Sequence, residues 1–131
     1  MPVASVGDTA ESSVHVTEET IEAYAEVSGD DNPIHLDAEY AAETMFGGRV
    51  AHGMLSAGVV SAAVGDLPGD VVYVSQEISF EQPVYPGDTV TATAEVVDAL
   101  GGDRLRLDTT AETEETVVSG EAVVLSLPHD S

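Results

Sequence analysis

The chain has no cysteine and no lysine, and its only strongly basic residues are Arg49, Arg104 and Arg106. Without cysteine there can be no disulfide, thiolate zinc site, iron–sulfur cluster or cysteine nucleophile. The lack of thiols also leaves the redox compartment undefined. No stretch is apolar for the length of a membrane span, and residues 1–10 lack the basic start and apolar run of a signal peptide. A cytoplasmic location without a membrane partner is the expectation. No repeat, linker or low-complexity stretch interrupts the 131 residues, so one domain over 1–131 is expected. A hydrophobic content of 43 % is too high for a disordered chain and enough for one core.

What the chain does have is acid. Twenty-five Asp and Glu against three Arg give a formal net charge of -22. Nucleic acid would be repelled by such a surface. The acids are not gathered in a tail but scattered between apolar positions, as in a folded domain with an acidic skin. That skin suits a salt-loaded cytoplasm, where screening acts within ~3 Å at molar salt. A halophilic source, such as a halophilic archaeon, is therefore expected; an acidic mesophile is the alternative.

Residues 12–16 read as a short strand. Thr17 is placed to cap a helix with Glu18 and Glu19 in its first turn, ending near Ser28-Gly29. Residues 30–36 read as a loop fixed by Pro33, and Asp37 as the cap of a short helix running through Met45. From Gly53 to Val64 there is no charge on any face, which predicts a helix buried on all sides. Residues 71–80, 89–98, 104–112 and 116–127 are strand-like, with Gly101-Gly102 and Tyr85–Asp88 as turns. The pattern predicts an α+β fold in which an antiparallel sheet wraps a buried helix.

Chemistry concentrates in two stretches. In the first, Ser28 to Asp37, Asp30 and His35 stand five residues apart with Pro33 bending the chain between them. Such a pair can take a proton from water at one point of a substrate and supply one at another, which suits addition of water across a double bond. The competing reading is a turn aspartate and a surface histidine. In the second stretch Gly53 opens the buried helix, where unpaired backbone N–H groups can hold a developing oxyanion on a thioester carbonyl. Close packing alone would also explain that glycine. Four scattered histidines without paired-ligand spacing argue against a metal site. His15 and His129 have no partner evident in sequence, His52 reads as structural, and Asp31 and Asp37 read as a solvated acid and a cap.

Ser28-Gly29-Asp30-x-Asn32-Pro33-Ile34-His35, together with Ala51-His52-Gly53-Met54-Leu55, resembles the signature of MaoC-like dehydratases, especially (R)-specific enoyl-CoA hydratases. The resemblance continues through Phe80, Pro83–Asp88 and Gly120-Glu121-Ala122. It implies a hot-dog fold dimerised through its sheet, as a homodimer or higher homo-oligomer. It also implies that Asp30 and His35 are the catalytic pair and that Gly53 donates its N–H to the oxyanion, with Asn32 shaping the loop and Ser61 orienting a catalytic residue. The implied substrate is a short or medium trans-2-enoyl-CoA, with no cofactor or metal required. Arg49 is the best available contact for a CoA phosphate; Arg104 and Arg106 are further options, and plain surface pairing is the alternative for all three. Rival functions are a hydratase for branched or dicarboxylic enoyl-CoA of the mesaconyl-CoA type, a hot-dog acyl-CoA thioesterase, and a non-catalytic acyl-thioester-binding subunit.

The charge makes a first prediction. The thermal unfolding midpoint should rise between dilute buffer and molar KCl, because salt screens the self-repulsion of the acidic chain. Equal midpoints in the two media would remove the halophilic reading.

Overall fold

A computed structural model describes residues 2–129. The elements run β1 (Thr9–His15), α1 (Glu18–Ser28), α2 (Pro33–Leu36), α3 (Ala38–Ala42), α4 (Gly53–Gly65), β2 (Asp70–Phe80), β3 (Thr89–Gly101), β4 (Arg104–Glu112) and β5 (Thr116–Leu127). All five strands belong to one antiparallel sheet of order β1-β3-β4-β5-β2. The last three strands form a meander, while β2 pairs with β5 at one edge and β1 with β3 at the other. No helix among the described residues is long and apolar enough to cross a membrane.

Local chemistry explains most boundaries. Thr17 caps α1, accepting from the N–H of Thr20, while the Thr20 hydroxyl accepts from the N–H of Thr17. Gly29 ends that helix in the left-handed region at φ 79°. Gly102 and Asp103 join β3 to β4 with φ of 60° and 64°, the paired positive values that a tight hairpin needs. At Tyr85–Asp88 the N–H of Asp88 donates to the Tyr85 carbonyl, and Gly87 takes φ 101° after Pro86.

The core is the interface between α4 and the concave face of the sheet. Leu55, Val59, Val60, Ala63 and Val64 of the helix meet alternate residues of β3, among them Val90, Ala92, Ala94 and Val96, and Leu105 and Leu107 of β4. The small Ala92 and Ala94 leave room for the helix to lie close.

Three expectations need correction. Residues 33–36 are a turn of helix rather than loop, because Pro33 has a φ suited to the first helical position and Asn32 caps it. The helix capped by Asp37 stops at Ala42 instead of reaching Met45. Nor is α4 buried on all sides: Met54, Gly58, Ser61 and Ala62 are exposed. One chain supplies a sheet for only one face of that helix. The opposite face lines two apolar grooves, one with Tyr24 and Val27 and the other with Tyr73 and Ile78.

Gly120 marks a close approach between β5 and β2. A Cβ there would lie 1.8 Å from the Glu77 carbonyl oxygen on the neighbouring strand. Backbone cannot swing aside as a side-chain tip can, so Gly120→Ala should cost about 2–4 kcal/mol. Chemical denaturation of the variant would measure this, and a loss within about 0.5 kcal/mol of wild type would contradict it.

Candidate active site

Asp30, His35 and His52 come together where α1, α2 and the start of α4 meet. One ligating atom from each lies within 4.8 Å of the others. Asp30 follows the Gly29 cap and is exposed; its N–H donates to the Ser28 hydroxyl, and its carboxylate accepts weakly from the Asn32 N–H at 3.4 Å. Asn32 turns the chain by accepting from the Ile34 N–H at 3.2 Å, which starts α2 and delivers His35 one residue later. The half-buried His35 donates from Nδ1 to the Val50 carbonyl at 2.7 Å, leaving its other ring nitrogen for chemistry.

His52 is only 2 % exposed and lies against both partners. Its ring stacks on His35 at 3.8 Å between centroids and 24° between planes, and it meets Tyr24 at 4.7 Å. Its Nε2–H donates to the Asp30 carbonyl at 2.8 Å. The stacking also decides whether the trio holds a metal. A ring nitrogen ligates along the plane of its ring at ~2 Å. Two planes stacked 3.8 Å apart and only 24° from parallel do not meet that close to either nitrogen, so the arrangement fits a metal poorly.

Gly53 is the first residue of α4, next to His52; the Leu55 N–H turns back to the His52 carbonyl at 3.0 Å, and the N–H groups of Gly53 and Met54 precede the intrahelical ladder. It opens onto a cavity of about 320 Å³ whose walls include Phe46, Val50, His52, Phe80 and Val84. A Cβ on Gly53 would lie 2.8 Å from the Phe80 ring. Asp30 and His35 do not line this cavity; His52 lines it and contacts both of them.

The structure thus brings Asp30, Asn32, His35 and Gly53 to one end of α4, but not the other two predicted site residues. Ser61 lies two turns along the exposed face of α4 and hydrogen-bonds Tyr73. Burial pushes the Tyr73 phenol above its ordinary pKa, and the Ser61 bond partly offsets this. Arg49 is packed inside its own chain. Its Nε–H donates to the His35 carbonyl at 2.6 Å, and its head group faces Glu18 at 3.3 Å and Glu22 at 3.8 Å. It braces α2 against α1 rather than facing the cavity. Arg106 pairs with Asp98 and Glu121 on the sheet. His15 bonds Thr89, and His129 sits beside Asp70, both exposed. Asp37 caps α3 as expected, through the Tyr40 N–H. Sequence reasoning left out Tyr24, the stack of His52 on His35, and the seat of Phe80 over Gly53. Only the adjacency of His52 to Gly53 hinted at the second of these.

A short sheet wrapped on a helix whose first turn opens onto a cavity, with a carboxylate and an imidazole beside it, defines a hot-dog enzyme. Residues 4–119 match the MaoC like domain family, and the chain belongs to it. It is 41 % identical over 123 residues to an (R)-specific enoyl-CoA hydratase from Rhodospirillum rubrum, covering 91 % of this chain and 85 % of that protein. With a 3-hydroxybutyryl-CoA dehydratase from Methylorubrum extorquens it shares 42 % over 113 residues, covering 83 % and 72 %. Among solved structures, the R-hydratase PhaJ1 from Pseudomonas aeruginosa superimposes with a TM-score of 0.88 at 37 % identity, covering 98 % of this chain and 88 % of that one. The (R)-hydratase from A. caviae involved in PHA biosynthesis gives 0.87 at 37 %, covering 95 % and 97 %. The chain is accordingly a hydratase/dehydratase, an enzyme of the hydro-lyase class.

Gly53 offers a test that separates site from scaffold. The Phe80 ring is 55 % exposed and can swing away from an added methyl. Gly53→Ala should therefore lose less than about 1 kcal/mol of stability. Its turnover should nevertheless fall on the order of 10²-fold, because the methyl occupies the space beside the helix N–H groups. Wild-type turnover in a folded variant would show that the space beside Gly53 is not used.

Proposed function

We propose that the enzyme adds water reversibly to a short or medium trans-2-enoyl-CoA to give the (R)-3-hydroxyacyl-CoA. The observation that carries this reading is the convergence of the Asp30 carboxylate and the His35 ring within 4.8 Å at the N-terminal end of α4. Two proton-handling groups so close can share one water and work on one face of a double bond, which is what syn addition requires. Asp30, exposed and only weakly hydrogen-bonded, takes a proton as water attacks the β carbon. His35 enters the cycle as an imidazolium beside the Asp30 carboxylate; Nδ1–H stays on Val50 and the proton on its other nitrogen goes to the α carbon. Transfer between the two restores the starting protonation, so the pair gains no net proton.

Attack at the β carbon pushes negative charge onto the thioester oxygen. The N–H at Gly53 and the dipole of α4 support a role in stabilising that charge. The cavity beside Gly53 is at the small end of the range for ligand pockets, which favours a modest acyl group within it and the CoA portion outside. Arg49 is spent on His35 and Glu18. It serves the site by bracing α2, so phosphate recognition does not rest on this arginine within its own chain. The apolar face of α4 and the edge strand β2, with Val72, Tyr73 and Val74 exposed, support a homodimer that covers them. The acidic surface supports operation in high salt.

The reading is tested by following loss of enoyl absorbance from crotonyl-CoA in molar KCl. Asp30→Asn and His35→Gln should each lower kcat by on the order of 10²–10⁴-fold while leaving the fold intact. Coupling to an (R)-specific dehydrogenase would report the product's configuration. Release of free CoA thiol instead of hydration would make the enzyme a thioesterase and overturn the proposal.

A further inference from the structure

One side chain at the site has no part in the chemistry above, yet touches both members of the pair. His52 contributes its Nε2–H to the Asp30 backbone and its ring face to His35. On its other side it meets Tyr24 of α1. It is also the residue from which α4 starts, although its side chain makes no capping bond of the usual kind. Instead of satisfying its own helix, the ring reaches across to the Asp30 loop.

Resting on the hydratase reading, we infer that His52 is the positioning residue of the active site, a spacer that fixes Asp30, His35 and the Gly53 helix start relative to one another. Asp30 follows a glycine in the left-handed region, and its own side chain accepts little that would hold the loop. The bond from His52 is the tie between that loop and α4. His35 is anchored at Nδ1 by Val50, which fixes one point of the ring but not its tilt; the stacked face of His52 supplies the second constraint.

The arrangement also dictates a tautomer. A carbonyl can only accept, so the proton of neutral His52 belongs on Nε2. Its Nδ1 is then a bare acceptor, and among the described residues that buried atom has no hydrogen-bond partner. A buried polar atom left unpaired costs stability. The fold tolerates this cost at a side chain that bonds the Asp30 backbone and stacks on His35, as expected of a residue kept for its position. Moving the proton to Nδ1 would forfeit the bond to Asp30 and leave neither ring nitrogen satisfied.

Two substitutions divide the contributions. His52→Gln keeps an N–H donor near the Nε2 position but loses the ring; His52→Phe keeps the stacked ring and loses the donor. With crotonyl-CoA in molar KCl, His52→Phe should lower kcat on the order of 10²-fold with KM little changed, since the loop bearing Asp30 is released. His52→Gln should recover much of that loss. Wild-type kcat in His52→Phe, or no recovery in His52→Gln, would overturn the positioning role. If either variant fails to fold, the wild-type protein still decides the matter. Long-range proton–nitrogen correlation of its imidazoles should show the His52 proton on Nε2, and a proton on Nδ1 would overturn the inference. This measurement needs no turnover, so it stands apart from failure of the hydratase reading, which would appear as wild-type enzyme inert toward crotonyl-CoA.

Discussion

Everything at the candidate site depends on how α4 is seated on the sheet. The helix is apolar almost throughout, and its buried face gives up water against β3 and β4, which stabilises by roughly 25 cal/mol per Å² of apolar surface removed. That seating fixes the position of the helix start, and so of His52, Gly53 and the cavity beneath Phe80. The Asp30–His35 segment is tied to this fixed point by short polar contacts: His52 to the Asp30 carbonyl, His35 to the Val50 carbonyl, Arg49 to the His35 carbonyl. A rigid apolar contact thus carries a polar superstructure of single hydrogen bonds, these three among them. Each of the three ends on a backbone carbonyl, so the geometry does not rely on the protonation of any carboxylate.

The acidic surface and the scarce arginines fit the same scheme. Arg49 and Arg106 each hold two carboxylates close by, and both serve as local braces. Exposed pairs of this kind contribute little stability, with a median below about 1 kcal/mol, and less still in salt. Arg49 differs because its side chain is only 11 % exposed and also bonds the His35 carbonyl. With so few cations to organise its surface, the chain leans on apolar seating and backbone hydrogen bonds, which salt does not screen.

Much of this was legible in the sequence because it is written in local chemistry. The four later strands announced themselves through β-branched residues, and α4 through an unbroken uncharged run bounded by glycines. Thr17, Gly29 and Asp37 marked their caps by residue type, whereas Asn32 was read as shaping a loop and caps a turn of helix. Long-range packing was not written locally. Composition could not say that β2 doubles back to pair with β5, or that one face of α4 stays uncovered by its own chain. The Asp30–His35 pairing was visible because Pro33 bends a short segment, whereas the stacking of His52 on His35 joins separate segments and has no periodic signature. What Ser61 faces was hidden for a similar reason. Its position on the helix was right, but the face it occupies turns it toward Tyr73.

The buried hydroxyl of Ser126 has a bearing on the order in which the molecule is assembled. It accepts the N–H groups of Val3 and Ala4 across more than a hundred residues and donates to the Pro68 carbonyl. β1 likewise waits for β3 before it has a partner. Contacts between residues so distant in the chain close late, because the loop entropy must be met before the contact returns anything. Val3, Ala4 and β1 are therefore among the last parts to find their place. The motif that carries Asp30 and His35 precedes in the chain the helix and the strands on which its geometry rests, so its side chains must wait for partners that come after them.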